Sequence, residues 1–571
     1  MLKRKTKEIN MRWEATLEPN QDRVTQLQQQ LGVTAVVANL LVQRGIEDFD
    51  TAKHFFRPQW EHLHNPFLMS DMDKAVARIE QAWERQENIM VYGDYDVDGI
   101  TSVALMTSYL KETTTKVTPY IPDRYTEGYG ISYRGIDKAE EEEISLIIAL
   151  DCGIKAVEKV AYAKAKGIDF IICDHHLPGA ELPAAVAVLD PKRSDCSYPF
   201  DELCGCGIGF KLIQALHQKQ GKSEDTLYPY LDLVATAIAA DIVPMVGENR
   251  TLCYFGVKQL REAPRLGIKG FIEQLKKPLT VTDLVFKVAP RINAAGRMDH
   301  ALTAAQLLLS DSPKDVKTIA EAIESFNTER RTTDERITKE ALAQIEAKGE
   351  ENHPATVVYH DDWHKGVLGI VASRLTETHY RPTVVLSQSG ENYVGSVRSV
   401  KGFNVYEALE ACSDHMIQFG GHKYAAGLTL AATQLDDFKA AFEKAVASRI
   451  LPEQKEAVLK YDLSIDINAV DHKLYRIVEQ MAPFGPQNMR PVFHSANCYD
   501  SGESRVVGKD QSHLRLSVAT KKGKLVGIGF GLAEHYQTIQ SGAPFEVLYT
   551  LDENEWNGNI SLQLRIKDIK F

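Results

Sequence analysis

Gly93-Asp94-Tyr95-Asp96-Val97-Asp98-Gly99 sets three carboxylates at alternate positions between two glycines. Acids at that spacing, in a turn that small residues let close tightly, can direct several oxygens at one point. Such a point suits a hard divalent cation. A calcium loop begins the same way, and its pattern fits from Asp94 as far as Gly99. It then needs a bidentate glutamate at its twelfth position, and that position is Leu105. A catalytic metal site and a solvated acidic edge remain, and the rest of the chain weighs between them.

Further acids fall at comparable places. The motif follows the apolar run Ile89 to Tyr92, within a strand read from Asn88 to Val91. Asp151 follows Ser145 to Leu150, and Asp174-His175-His176 follow Phe170 to Cys173; Val186 to Leu189 is a fourth such run. Helical stretches, Ser102 to Leu110 and Ala156 to Ala165, lie between. Apolar runs alternating with helices predict a parallel sheet covered by helices. Ligands of such sheets bind beyond the carboxyl ends of the strands. Loop solvation explains three successive runs ending in Asp or His poorly. Asp241 adds a fourth acid after the apolar segment Leu231 to Ala240. Asp96, Asp98, Asp151, His175 and Asp241 form an oxygen-rich set with one or two imidazoles, suited to Mn²⁺ or Mg²⁺. Enough carboxylates are present for two ions about 3.5–4 Å apart sharing a bridging ligand, an arrangement that hydrolyses phosphate esters. Adjacent residues of an extended chain point to opposite sides, so spacing leaves open which of His175 and His176 ligates.

At 571 residues, two to four domains are expected. Hydrophobic content of 44% and charged content of 25% are those of an ordinary globular protein. The net charge of −12 does not exclude nucleic acid, because a basic groove can lie apart from an acidic metal centre. No apolar run reaches the roughly 18 residues of a membrane helix. The basic start, Met1 to Lys7, lacks the apolar core of a secretory signal. Met11 is an alternative start, which would make residues 1–10 a poorly ordered extension. Eight cysteines include no CxxC pair, and Cys204 with Cys206 is a weak zinc signal. Reduced thiols in a cytoplasmic protein are expected.

The organisation reads as follows. Residues 1–75 look helical, and 76–312 carry the parallel sheet. Residues 313–348 form a long helix of about 50 Å, with Ser312 as cap and Pro313 at its first position. Its centre, Asn327 to Arg336, is polar all round, as in a helix crossing solvent between domains. A second α/β unit occupies 349–452, with strands near Thr356 to Tyr359, Thr383 to Leu386 and Tyr393 to Val397. Residues 453–571 alternate apolar and polar: Leu514, Leu516, Val518; Phe545, Val547, Tyr549, Leu551; Ile560, Leu562, Leu564, Ile566. They predict an all-β module, most simply a small barrel.

In order along the chain, the motif at 93–99, Asp151-Cys152-Gly153, Asp174-His175-His176 and Asp241 resemble the four motifs of the DHH phosphoesterase family, named for the third. Pro290-Arg291-Ile292-Asn293-Ala294-Ala295-Gly296-Arg297 and Gly366-Val367-Leu368-Gly369-Ile370-Val371-Ala372-Ser373-Arg374-Leu375 resemble signatures of the RecJ branch, single-strand-specific 5′→3′ DNA exonucleases. Phe419-Gly420-Gly421-His422-Lys423-Tyr424-Ala425-Ala426-Gly427 resembles the glycine-histidine motif of the DHHA1 substrate domain. The resemblance spans roughly residues 50–571. Tyr95, and the pair Cys204 and Cys206 beside a glycine-rich turn, are small departures. The implied architecture is an α/β DHH domain, a long helix, an α/β DHHA1 domain and an OB-fold. The implied cofactor is two ions, Mn²⁺ or Mg²⁺. Asp96 and Asp151 would hold one ion, with Asp94 an additional candidate. Asp98, Asp151, His175 and Asp241 would hold the other, Asp151 bridging. His176 would face the scissile phosphate, and Asp174 would orient a neighbouring ligand.

Other residues have two readings each. Arg291 and Arg297 flank small residues and Asn293, which suits contact with DNA phosphates better than an ordinary surface role. Arg374 could pair with a carboxylate or with DNA. Ser396 and Arg398 suit a pocket for a terminal phosphate. Gly420, Gly421 and His422 make a tight turn or a phosphate nest, with His422 also acting near the cut. Arg505, Lys509, His513, Arg515, Lys521, Lys522 and Lys524, with Tyr499 and Phe530, are a solvated face or a track for single strands.

The expected function is a processive 5′→3′ single-stranded-DNA exonuclease of repair and recombination, monomeric, working with a single-strand-binding protein and a helicase, away from membranes. The alternative is a DHH phosphodiesterase for short oligonucleotides or cyclic dinucleotides. Those relatives generally lack the long helix and barrel. A pyrophosphatase would leave the C-terminal half unemployed, and non-catalytic relatives lose metal ligands that this chain keeps. Because every candidate ligand precedes residue 245, cleavage is expected to survive loss of the barrel.

Overall fold

The computed structural model describes residues 11–556 and 558–571. The extension over residues 1–10, and with it the choice between Met1 and Met11, lies outside them. The chain divides into two units. One comprises Ala15–Gly296, Ala301–Ala320 and Lys460–Phe571; the other comprises residues 11–14, Arg297–His300 and Glu321–Leu459.

In the first unit, near-continuous apolar runs build a five-stranded parallel sheet, β1 (Asn88–Gly93), β2 (Val117–Tyr120), β3 (Ile144–Leu150), β4 (Asp169–Cys173) and β5 (Ala187–Leu189), in the order β2-β1-β3-β4-β5. Ile89, Val91, Ile148 and Ile172 are fully buried, which is why these strands show no polar alternation. β2 has no counterpart in the sequence reading. It is four residues long, contains Pro119 and lies at an edge, where a missing N–H is tolerated. The helices α1 (Val97–Lys111), α2 (Gly205–Lys219) and α3 (Leu231–Asp241) are buried around most of their circumference.

The register aligns the strand ends. Gly93 pairs with Leu150, Leu150 with Cys173, and Cys173 with Leu189. The next residue of each strand therefore leaves the sheet in one row: Asp94, Asp151, Asp174 and Asp190.

A further helix, α4 (Ala289–Met298), carries the first basic signature, and α5 (Pro313–Ala347) follows. Ser312 Oγ accepts the Asp315 N–H at 3.3 Å, as its capping role requires. The centre of α5 departs from expectation. Ile323, Asn327, Asp334, Ile337, Ala341 and Ile345 are buried along one face. Arg330 engages both polar members of that face, pairing with Asp334 and donating to Asn327 Oδ1 at 2.7 Å, so polarity there does not mark solvent on all sides.

The second unit holds a sheet in the order β9-β10-β8-β7-β6, built from β6 (Thr356–His360), β7 (Thr383–Ser389), β8 (Asn392–Arg398), β9 (Gln418–His422) and β10 (Ala425–Ala431), with α6 (Leu368–His379) between β6 and β7. Only β6 and β7 run parallel. Gly420, Gly421 and His422 therefore lie on an edge strand rather than in a turn. Glycine and alanine carry little strand propensity, which hid this hairpin from the sequence.

The C-terminal part of the first unit is all-β in its sheet: β11 (Leu463–Ser464), β12 (Phe493–Cys498), β13 (Arg505–Val507), β14 (His513–Thr520), β15 (Gly523–Gly529), β16 (Phe545–Trp556) and β17 (Asn559–Lys570), ordered β11-β12-β16-β17-β15-β14-β13. The alternating residues Leu514, Leu516, Val518, Phe545, Val547, Tyr549, Leu551, Leu562, Leu564 and Ile566 are buried as expected, whereas Ile560 is exposed. The N-terminal segment is not wholly helical, since Arg12–Ala15 is a strand. Its helices Gln21–Leu31, Ala35–Val42 and Phe49–Phe56 bury Val24, Leu27, Val37, Leu40 and Leu41 in the same core as Phe493, Leu514, Phe545 and Val547.

Candidate metal centre

The acidic motif turns from β1 into α1 in three residues. A Cβ at Gly99 would overlap the Asp94 carbonyl oxygen, so only glycine permits the turn. Asp96 caps α1, accepting the Gly99 N–H at 3.2 Å. Asp98 reaches the N-terminus of α2 and accepts N–H bonds from Gly205 at 2.6 Å and Cys206 at 2.8 Å, a placement the helix dipole favours. Asp151 takes a left-handed conformation, φ 59°, which aspartate tolerates better than most residues. Its N–H continues the ladder to Cys173 O at 2.9 Å, and Asp174 N–H does the same to Leu189 O at 3.0 Å. Gly205 leaves room for Asp151, because a Cβ there would sit 2.5 Å from Asp151 Cβ.

These elements converge on His175. Its Nε2 lies 3.2 Å from Asp151, 3.7 Å from Asp241 and 3.9 Å from Asp98. Asp98, His175 and Asp241 form one potential cation site, and Asp151, His175 and His176 another. Asp94 stands beside them, accepting the Gly130 N–H at 3.4 Å. His176 is fixed at both ring nitrogens. Its Nδ1 is held by Asp174 at 2.7 Å and its Nε2 lies 3.2 Å from the Tyr129 hydroxyl. Asp174 also accepts N–H bonds from Ile154, His175 and His176.

Burial, then the charge of Asp96, pushes Asp94 and Asp98 up to about 7. Burial, then Asp98, raises Asp151 well above the carboxylate range and Asp241 to about 8. Burial, then His176, pushes His175 down to about 4, which keeps its imidazole neutral. Burial alone would raise Asp174, but the hydrogen bond and charge of His176 hold it below its ordinary value. Burial alone would lower His176, and Asp174 outweighs it. No lysine or arginine forms an ion pair with Asp94, Asp98, Asp151 or Asp241 among the described residues. Buried carboxylates that repel one another around a neutral imidazole need a cation to ionise together. The donor set therefore fits Mn²⁺ or Mg²⁺.

Two neighbours escaped the sequence reading. Tyr129 follows β2, the strand that Pro119 concealed. Asp190 follows β5, where Asp190-Pro191 reads as a turn. Burial pushes Asp190 up to about 7, and one of its oxygens is buried without a hydrogen-bond partner among the described residues.

The remaining candidates divide as follows. Arg291 donates to Lys287 O at 2.7 Å and lies over the Phe271 ring, on the same helix as half-buried Asn293. Arg297 donates to Gly366 O at 2.8 Å, which joins two of the sequence motifs. Arg374 is paired with buried Asp334 at 2.7 Å, and Asp334 also takes Arg330. Arg374 thus has the carboxylate partner of one of its two readings.

Ser396 and Arg398 are different. Arg398 donates to Ser396 Oγ at 3.1 Å and Val397 O at 2.8 Å. Burial lowers its pKa, and no carboxylate among the described residues offsets the charge. A Cβ on Gly369, in the first turn of α6, would lie 3.0 Å from Ser396 Oγ and 2.9 Å from Arg398 Nη2. The register places His422, Ala425 and Arg398 in one cross-strand row and Gly420, Gly427 and Ser396 in another. Both rows face the same side. A half-buried cation, a hydroxyl and the first turn of a helix thus stand together over small residues.

In the C-terminal sheet, Arg505 pairs with Arg515, Arg515 with Ile528, and Ile528 with Arg565. Three arginines thus share one face, and Arg565 lies over exposed Phe530.

The DHH family, N-terminal domain, matches residues 88–238; the DHHA1 domain matches 352–448; the RecJ OB domain matches 461–568. The chain is 37% identical over 563 residues to the single-stranded-DNA-specific exonuclease RecJ of Bacillus subtilis (strain 168), covering 98% of this chain and 70% of that protein. It is 33% identical to the protein of that name from Salmonella typhimurium, covering 88% of this chain and 90% of that protein. Among solved structures it resembles RecJ in complex with Mn²⁺ from Thermus thermophilus, with a TM-score of 0.84 at 26% identity over 99% of this chain and 80% of that one.

Proposed function

Because the chain belongs to the RecJ family of single-stranded-DNA-specific exonucleases, we propose that its row of strand-end acids cuts single-stranded DNA from the 5′ end. The protein is a metal-dependent hydrolase of single-stranded DNA that takes Mn²⁺ or Mg²⁺. The observation that carries this reading is the approach of Asp98, Asp151 and Asp241 to one imidazole nitrogen, that of His175.

Asp96 and Asp151 would hold one ion, with Asp94 an additional candidate; Asp98, Asp151, His175 and Asp241 would hold the second. Bound there, the ions supply Lewis-acid charge to the phosphodiester and lower the pKa of the attacking water. His176, held in one orientation by Asp174, offers Nε2 to an oxygen of the scissile phosphate, with the Tyr129 hydroxyl beside it. Ser396 and Arg398 receive the 5′-terminal phosphate, a reading supported by the half-buried Arg398 having no carboxylate partner among the described residues. Gly420, Gly421 and His422 line the same face. Arg291, Asn293 and Arg297 contact the backbone of the strand, and Arg505, Arg515 and Arg565 track it further along.

The work is that of repair and recombination, performed in the cytoplasm by a monomer beside a single-strand-binding protein and a helicase. No helix among the described residues is long and apolar enough to cross a membrane.

The test is a cleavage assay on 5′- and 3′-labelled single strands, duplex and dinucleotides, each with Mn²⁺, Mg²⁺ or EDTA. Release of mononucleotides from the 5′ end of single strands alone is expected. Cleavage restricted to dinucleotides would replace this reading with an oligonucleotide phosphodiesterase. Arg398→Ala should reduce the preference for a 5′-phosphate over a 5′-hydroxyl by about tenfold or more, roughly 1.4 kcal/mol.

A further inference from the structure

Asp241 differs from its neighbours in how it is held. Asp94, Asp96, Asp98 and Asp174 each accept backbone N–H bonds. Asp151 has its own backbone tied to β4. The Asp241 carboxylate accepts no hydrogen bond among the described residues, so its position follows its main chain. On the N-terminal side that chain is α3. On the other side the chain turns at Ile242, φ 61°; Pro244 O accepts from the Asn249 side chain at 3.1 Å, and the first backbone–backbone anchor comes from the C-terminal domain.

That anchor is Met245 N–H donating to Pro486 O at 2.8 Å. Pro486 sits in a tight turn whose ends, Gly485 and Asn488, exchange backbone hydrogen bonds of 3.1 and 2.9 Å. Met245 is 1% exposed. Gly485 packs directly on it, since a Cβ there would lie 3.1 Å from Met245 Cβ and 3.0 Å from Cε. Five residues further, Arg250 fastens the same segment. It is 5% exposed and donates to Met481 O, Ala482 O and Pro483 O at 2.9–3.1 Å, and twice to Phe55 O. The Asn488 side chain donates to Met481 O and Pro483 O and accepts from Arg44 Nε. These bonds run to carbonyl oxygens, so they fix geometry and do not neutralise charge.

We propose that the turn at residues 485–488 is a positioning device for Asp241, so that the C-terminal domain sets part of the catalytic domain's affinity for its divalent cation. The proposal rests on Asp241 being a metal ligand, as proposed above. Residues that position a ligand typically change metal affinity 10- to 100-fold when altered.

The experiment titrates full-length protein with Mn²⁺ by calorimetry, without DNA, for wild type, Gly485→Ala, Gly485→Val and Asp241→Asn. The valine branch should displace Met245 and weaken one Mn²⁺ site about 10- to 100-fold, alanine less so. Single-strand binding in EDTA and far-UV circular dichroism should stay unchanged. Adding Met245→Ala to Gly485→Val removes the opposing atoms and should restore the affinity. Excess Mn²⁺ should restore kcat of the single variant with KM unchanged. Wild-type affinity in both Gly485 variants, with a site lost in Asp241→Asn, overturns the proposal. Wild-type affinity in Asp241→Asn overturns the ligand assignment beneath it, and the proposal with it. If Gly485→Val does not fold, Gly485→Ala and Asn488→Ala decide by the same readout.

Discussion

Ending the chain at Leu459 should abolish cleavage even of short oligonucleotides. The order of the residues suggests otherwise, because every proposed metal ligand precedes residue 245. Packing decides against separation. Val24, Leu27, Val37, Leu40 and Leu41 are at most 3% exposed and share their core with β12, β14 and β16. Burying one such side chain contributes about 1.5–3 kcal/mol. Exposing five costs about 8–15 kcal/mol, a ceiling because unfolded chains keep some burial. That matches the whole stability of an ordinary domain, about 5–15 kcal/mol. Arg250 would also lose its bonds to Met481, Ala482 and Pro483 while staying enclosed by its remaining neighbours. The assay is gel filtration, thermal melting and Mn²⁺-dependent cleavage of a short oligonucleotide by the shortened protein. A monomer that melts with the full-length protein and cuts within tenfold of its rate would refute the shared-core argument.

Asp151→Ala should eliminate turnover and leave single-strand binding in EDTA intact; a loss below tenfold, about 1.4 kcal/mol, would remove Asp151 as the shared ligand. Asp174→Asn should lower kcat about 10- to 100-fold. His176 is raised by Asp174, so the limb of the pH–rate profile that it governs should move to lower pH; an unmoved limb would dissociate His176 from that limb. Without metal, stability should fall as pH rises from about 4 through 8. The sign follows from Asp94, Asp98 and Asp241, whose folded pKa values of about 7, 7 and 8 lie above the ordinary carboxylate value of 3.8. Over that window the folded state binds more protons than the unfolded state. Melting curves from pH 5 to 9 should show the decline, and saturating Mn²⁺ should reverse it; a flat metal-free profile would contradict the electrostatics.

What could be read from the sequence was whatever local pattern encodes. Strands buried on both faces announce themselves as apolar runs, so β1, β3, β4 and β5 were legible, and the acids after them inherited meaning from their place. β2 was not, because Pro119 at a sheet edge resembles a break. Tyr129 was lost with it. Asp190 was lost because Asp-Pro is a common turn, and only register shows that it leaves the sheet in the same row as Asp94, Asp151 and Asp174. Arg374 and Asp334 illustrate the opposite failure. Their partnership joins α5 to α6, which no periodicity reveals. Arg565 joins Arg505 and Arg515 only through strand order.

The common core of the N-terminal helices and the C-terminal strands has a consequence for synthesis. Leu41 leaves the ribosome about 500 residues before Phe545, which at 5–20 residues per second is about 25–100 s. Throughout that interval the catalytic sheet can form, but the helices before it lack their partner surface and Met245 lacks Pro486. A nascent chain thus carries its acids long before their surroundings are complete. Messages cut short would yield fragments with exposed apolar faces, suited to proteolysis.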